Sequence, residues 1–425
     1  MTGRKNKVWT GATGALFTMM VCSTLLAAGV DESTKISDIF GAKSGYVHPY
    51  VSASVVSSDN INSTHTDKTS DIMTVLSPGI WLAVPASRNQ LLSLATSSYT
   101  PGGLDLSRDK VDYFQRYQFY LLYGANIEKY SEYEQNDSME QKLEGIFQYN
   151  FRGGLTFEFL AQGKQTRDPD YLTESTNQDN FISGLTGLSV SYELSDMLRL
   201  RLDYTGFRVD YDTDTNSFKD RADNSYAGYL FFVLSPKTEL FLEYEAITVG
   251  YDRSTISDSS QTQIVGGVKW QVTEKSMAKL RLGQATKTFD RTGLDPVTAT
   301  TLELTGNHSF TQKSSINVMA GSKLRESSLA TADYVVNQVV SVGYQQFVTT
   351  RLAGKISLVQ ATDDYMTNTT TSRSDTVLMT TINAEYTFND WFLGELGVSS
   401  IQTDSTLDTI DSERNDIFVR ASAAF

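Results

Sequence analysis

Cysteine is almost absent from this chain: among 425 residues there is one thiol, Cys22. It lies in a segment that reads as an export signal. Arg4, Lys5 and Lys7 form a basic head, "ALFTMMVCSTLLAA" a short apolar stretch, and "AAGV" a small-residue region suited to cleavage near Ala28 or Gly29. The apolar stretch falls short of the roughly 18 to 20 residues that span a bilayer. Val21 occupies the place where a lipoprotein signal wants a small residue, which argues against lipidation of Cys22. Without residues 1–29 the chain has no thiol, so a disulfide framework, a thiol nucleophile and a thiolate metal site are excluded. Histidine is almost as scarce, with only His48, His65 and His308, and proline numbers 7. Downstream of the signal no apolar run is long enough for a membrane helix. A net charge of −14, which becomes −17 once the three positive charges of the signal head are removed, disfavours nucleic acid and anionic lipid as partners.

What the chain has instead is 22 Tyr and 21 Phe set in strands of strict alternation. In "ISGLTGLSVSYELSDMLRLRLDYTGFRV", Leu188, Val190 and Tyr192 alternate with Ser189, Ser191 and Glu193. Ser195 and Asp196 then turn the chain, and Leu198, Leu200, Leu202 and Tyr204 alternate with Arg199, Arg201, Asp203 and Thr205. Two period-2 runs about a short polar turn make an antiparallel hairpin. Further tight turns read at 150–153, 235–237, 273–275, 311–313, 349–350 and 389–390. Between the hairpins lie longer polar stretches, among them "KQTRDPDYLTESTNQDN", "DYDTDTNSFKDRADNS" and "ATDDYMTNTTTSRSDT". Short turns at one end and long hydrophilic loops at the other are the asymmetry of an outer-membrane barrel. The strands are also longer than the 5 to 6 residues usual in globular sheets.

The fold expected is therefore all-β: a transmembrane antiparallel β-barrel of about 18 strands, with 16 or 20 as the alternatives, short periplasmic turns and longer extracellular loops. Residues 30–45 read as a periplasmic N-terminal segment and 46–425 as the barrel. The closing strand is the last one, where Ile417, Val419, Ala421, Ala423 and Phe425 share one face and Arg420 and Ser422 the other. One connection is anomalous. Residues 86–116 fall on the short-turn side, and so long a connection is uncommon unless functional. Two readings stand: a periplasmic insertion that meets a partner, or an extra hairpin made of Leu91 to Ser98 and Val111 to Leu122.

If the leucine faces meet lipid, the other faces line the lumen. Lys or Arg at the bilayer midplane would cost about 2 to 4 kcal/mol each, so the pore-lining set expected is Lys142, Glu144, Glu158, Arg199, Arg201, Asp203, Glu243, Glu245, Lys269, Lys279, Arg281, Glu303, Arg351, Lys355, Glu385 and Glu395. Such a lumen is polar and mixed in charge, without a strong bias of sign, and its charges can pair across strands. Catalysis finds little to stand on. "GNHSFTQ" sets Asn307, His308 and Ser309 together, but adjacent strand residues face opposite ways. Glu243 and Glu245 share a face, as a glycosidase pair would, yet such pairs arise by chance among so many lumenal carboxylates. No metal-ligand cluster, phosphate loop or cofactor motif is evident, and no enzyme is expected.

The stretches "GYVHPYVSASVVSSDNI", "DIMTVLSPGIWLAVP" and "YQFYLLYGANIEKYSEYEQND" resemble the start of the beta-barrel porin 2 family. The likeness rests on Asp59-Asn60-Ile61, on Ser77-Pro78-Gly79, on Tyr120, Tyr123 and Tyr130, and on the "TPGGLDLSR" insertion. It implies a role in export or assembly of extracellular or capsular polysaccharide across the outer membrane of a Gram-negative bacterium. The partners expected are outer-membrane lipid, the barrel assembly machinery, the polysaccharide, and a periplasmic export component meeting 86–116. A general diffusion porin for small hydrophilic solutes and a plugged structural or adhesive barrel are the alternatives. An inward-folded loop rich in paired charges would favour the diffusion porin, and aromatic rows along the lumen a sugar track.

Overall fold

The computed structural model describes residues 45–87, 94–106, 116–167, 180–273 and 275–425. The expected signal, 1–29, and all of 30–45 except Gly45 lie outside them. Eighteen strands form one closed antiparallel sheet in chain order, as the alternation foretold. β1 (Gly45–Ser58) pairs with both β2 (Asp71–Ser87) and β18 (Ser412–Ala424), and this second pairing closes the ring. Tyr50 stands opposite Ala424 and Ser58 opposite Asp416, the Phe425 amide donates to the Pro49 carbonyl (3.0 Å), and the Phe425 ring stacks on Trp391. No backbone edge is left for lipid to face unsatisfied, which is the condition any spanning sheet must meet.

Alternation sorts the side chains. On β18 and just past its end, Ile417, Val419 and Phe425 point outward and are exposed on the isolated barrel, whereas Phe418, Arg420 and Ser422 point into the lumen and are buried. The same holds round the wall, with Val55, Leu76, Leu143, Leu202, Leu242, Leu282, Val340 and Leu396 forming an outward apolar belt. Connections from even to odd strands take two to four residues, the one after β2 excepted. Those from odd to even take six to twelve, with a single exception.

That exception corrects the sequence reading. "ATDDYMTNTTTSRSDT" was expected as a long loop, but β15 (Leu352–Thr367) and β16 (Thr370–Asn389) run straight through it and leave only Asn368 and Thr369 to turn. Its polarity is that of a hairpin projecting past the membrane. Threonine favours extended backbone, and Asn368 takes the left-handed conformation (φ 53°) that asparagine tolerates in a tight turn. The extra hairpin also fails: β3 spans Tyr117–Tyr130, and residues 94–106 are not part of the wall.

Placing Arg at the outward Val340, midway along β14 (Tyr334–Phe347), is expected to destabilise the refolded barrel by about 2 to 4 kcal/mol. Urea unfolding in lipid vesicles measures it, and a change under about 0.5 kcal/mol would contradict a lipid-facing belt.

Candidate functional site

The long connection between β2 and β3 enters the barrel. Its described part, 94–106, folds as a narrow hairpin: Thr96 bridges Leu104, Asp105 donates its amide to the Ala95 carbonyl (2.9 Å), and Ser97 to Gly103 (3.0 Å). Thr100-Pro101-Gly102-Gly103 turns at the tip, closed by the Gly103 amide on Thr100 (2.9 Å). Proline sets the second position of such a turn, and Gly102 supplies the positive φ (74°) required at the third. At Gly103 (φ 80°) a Cβ would stand 2.3 Å from the Phe207 ring, so no other residue fits so close to the wall.

This strap runs from one wall to the opposite one. At its start, the Leu94 amide donates to Glu144 (2.9 Å) on β4 (Ser138–Asn150), and Gln162 on β5 (Leu155–Arg167) donates to both the Leu94 carbonyl (3.1 Å) and Glu144 (2.9 Å). At the tip, Asp223 on β8 (Arg221–Ser235) accepts from the Gly102 amide (3.0 Å), Arg221 donates to the Thr100 carbonyl (3.4 Å), and the Glu326 amide to the Tyr99 carbonyl (2.7 Å). On the far side Asp105 pairs with Lys323 and Arg325 at the end of β13 (Ser314–Arg325) and accepts from Thr100 (2.8 Å). Apolar contacts follow the same course. Leu94 and Leu104 join Trp81, Tyr120, Leu122, Leu160 and Phe207 on one wall, and Leu106 reaches Met319, Val359 and Met379 on the other.

Most of the expected pore-lining residues do face inward, and most of their charges are matched. Arg281 on β11 (Ser276–Phe289) lies between Glu243 (2.6 Å) on β9 (Thr238–Tyr251) and Glu303 (2.8 Å) on β12 (Val297–Thr311), with Lys279 at 3.4 Å from Glu303. Arg201 pairs with Asp203 (2.7 Å) on β7 (Leu198–Tyr211), Arg199 with Glu239, Lys355 with Glu385, and Glu395 with Arg420. Glu158 is buried on the same face, Lys142 and Lys269 are half-buried there, and Glu245 accepts from Ser225 and Gln263. Arg351 does not belong to this set. It sits exposed in the turn between β14 and β15, one residue outside the strand to which its alternation assigned it.

The sequence reading missed the strap's own anchors. Lys323 and Arg325 were not among the expected lumen-facing residues, and Asp105 lay in the segment read as a periplasmic insertion or an extra hairpin; the signal available was the "PGG" turn followed by Leu104 and Leu106. Burial raises the proton affinity of Asp105, but the Lys323 and Arg325 charges outweigh it and hold the carboxyl well below its usual range. His308 lies near the periplasmic rim, where it meets the Ser276 hydroxyl (2.7 Å) and the Phe310 ring, while Ser309 faces the other way. Among the described residues no group of three His, Cys, Asp or Glu could hold a metal.

A closed membrane-spanning sheet whose lumen is crossed by a clasped strap defines a channel-type barrel with a narrowed bore. The chain belongs to the family described as "Putative beta-barrel porin 2", whose model matches residues 40–425. This is a family of porin-like outer-membrane barrels. No curated protein matches the chain. Similar solved structures include OccK2 (OpdF) of Pseudomonas aeruginosa, at 8% identity and TM-score 0.46 over 90% of this chain and 99% of that one. OccAB4 of Acinetobacter baumannii follows at 10% identity and TM-score 0.44, over 90% and 99%.

Because the folded pKa of Asp105 lies below its unfolded value of about 3.9, its clasp contributes fully above that value and is lost only as pH falls through the folded one. Hydrogen exchange of the strap amides is therefore expected to show constant opening free energy from pH 7 to pH 5. Asp105→Asn should lower that free energy by about 2 kcal/mol, roughly thirtyfold faster exchange, at every pH in that range.

Proposed function

We propose that the protein is a non-catalytic outer-membrane diffusion channel of a Gram-negative bacterium, selective for small hydrophilic solutes. The observation that carries this reading is the strap: a segment with its own turn, apolar footing and ion-pair clasp stands across the lumen. A barrel of this strand number is otherwise too wide for side chains to fill, and a strap narrows it to the scale of small solutes. Passage of a polymer chain would require the strap to leave as a unit, breaking the Glu144, Asp223 and Asp105 contacts together. Export of polysaccharide, which the family resemblance suggests, is therefore the weaker reading. The inward residues beside the strap are paired charges and neutral hydroxyls and amides, with aromatics concentrated on one wall instead of running as a track.

Replacing residues 94–106 by a short Gly-Ser linker tests the reading. Single-channel conductance in planar bilayers is expected to rise severalfold over a small wild-type value, and liposome swelling to begin admitting trisaccharides that the intact barrel rejects. Equal conductance with and without the strap would overturn it. So would loss of extracellular polysaccharide, with periplasmic accumulation, on deleting the gene.

A further inference from the structure

The two rims of the barrel differ in charge. Among the described residues, the extracellular connections carry sixteen Asp or Glu against four bases, Lys68, Lys219, Arg253 and Arg291. Among the described residues, the tight periplasmic turns carry Arg152, Lys237, Lys275, Lys313 and Arg351 against Asp196 and Asp390. Charge of one sign around a low-dielectric mouth concentrates the opposite ion there.

The cavity beside the strap continues the bias. Thr100, Gly102 and Asp105 of the strap line it together with Glu243, Glu245 and Arg281 of the wall. Its cations are committed: Arg281 to Glu243 and Glu303, Arg201 to Asp203, and Lys323 and Arg325 to Asp105, with the Arg281 Nε the one guanidinium nitrogen of that residue left without a partner. Glu245 is not so matched. No Lys or Arg among the described residues pairs with it, and its two bonds come from the neutral Ser225 and Gln263. Two further neutral side chains line the same cavity, Gln261 on β10 (Ser259–Thr273) and Asn337 on β14. Asn337 is 1% exposed, and its amide nitrogen is fixed on Asp363 (2.6 Å), which leaves its Oδ1 with no hydrogen bond. Gln261, 6% exposed and one inward step from Gln263, has an unpartnered side-chain oxygen as well. Both line the cavity. A carboxylate with no cation partner, set among neutral side chains, offers a cationic group the opposite charge it needs.

We propose that this cavity is a subsite for cationic organic solutes bearing an ammonium group, anchored by Glu245, and that the barrel is cation-selective as a result. The proposal rests on the channel reading above and specifies its solute class.

Reversal potentials across a KCl gradient, with liposome uptake of lysine, alanine and glutamate, test it on the full barrel. The wild type is expected to pass K⁺ over Cl⁻ severalfold and lysine ahead of glutamate. The isosteric E245Q should cut the K⁺/Cl⁻ ratio by about threefold and slow lysine while leaving alanine unchanged, and E245K should reverse the preference. A wild type indifferent to sign or favouring anions overturns the proposal, as does an E245Q barrel that conducts with its selectivity intact. Failure of the channel reading looks different: neither the wild type nor the barrel lacking 94–106 would then conduct, and the subsite would fall with it.

Discussion

Lipid offers a peptide group no hydrogen-bond partner, and the pairing of β1 with β18 is what lets this chain lie in it. Everything else in the structure is arranged around that closure. Once the sheet is a ring, each strand residue faces either hydrocarbon or the lumen, and the period-2 pattern becomes a decision between two solvents. Leucine and valine on the outward face need no compensation. Arginine and glutamate on the inward face do, because many of them are buried. The answer is pairing between neighbouring strands: Arg281 sits between carboxylates from β9 and β12, and Lys355 faces Glu385 across β15 and β16.

The strap depends on the same ring. Its two ends contact strands halfway round the sheet from one another, so it spans the bore instead of lying along one wall. Such a segment needs anchors on both sides, and these differ in kind. At Leu94 the footing is a buried apolar cluster with one carboxylate, whereas Asp105 is held by two cations with a smaller apolar contact at Leu106. The ionic end answers to charge substitution and the apolar end to cavity formation, which makes the two separable by mutation.

Much of the fold was legible in the sequence because alternation and turn chemistry are local. Leu188 to Tyr192 and Leu198 to Tyr204 declare both a hairpin and its lipid face, and the terminal Ile417, Val419 and Phe425 declare the closing strand. The errors fell where polarity and structure part company. Residues 361–376 are polar because their hairpin leaves the membrane, and composition alone cannot separate such a hairpin from a loop. Arg351 kept the alternation of its strand into a turn that breaks it. The strap was visible only as an excess of length. Its place in the lumen is set by Asp105 meeting Lys323 and Arg325, partners more than two hundred residues away that no local pattern connects.

Residues near Gly102 lie against the lumenal wall of β8. A Cβ built at Gly102 stands 3.3 Å from that of Ser225, close to the separation a disulfide requires. The left-handed φ (74°) costs a cysteine there about 1 to 2 kcal/mol, against which the Asp223, Arg221 and Glu326 contacts hold the tip in place. On a Cys22→Ser background the double variant Gly102→Cys/Ser225→Cys holds the only two thiols. Crosslinking in the assembled barrel, read as a mobility shift reversed by reductant, is the result expected. Free thiols at both positions under oxidising conditions, with the residue at 102 open to a bulky membrane-impermeant reagent, would show that the strap does not occupy the lumen.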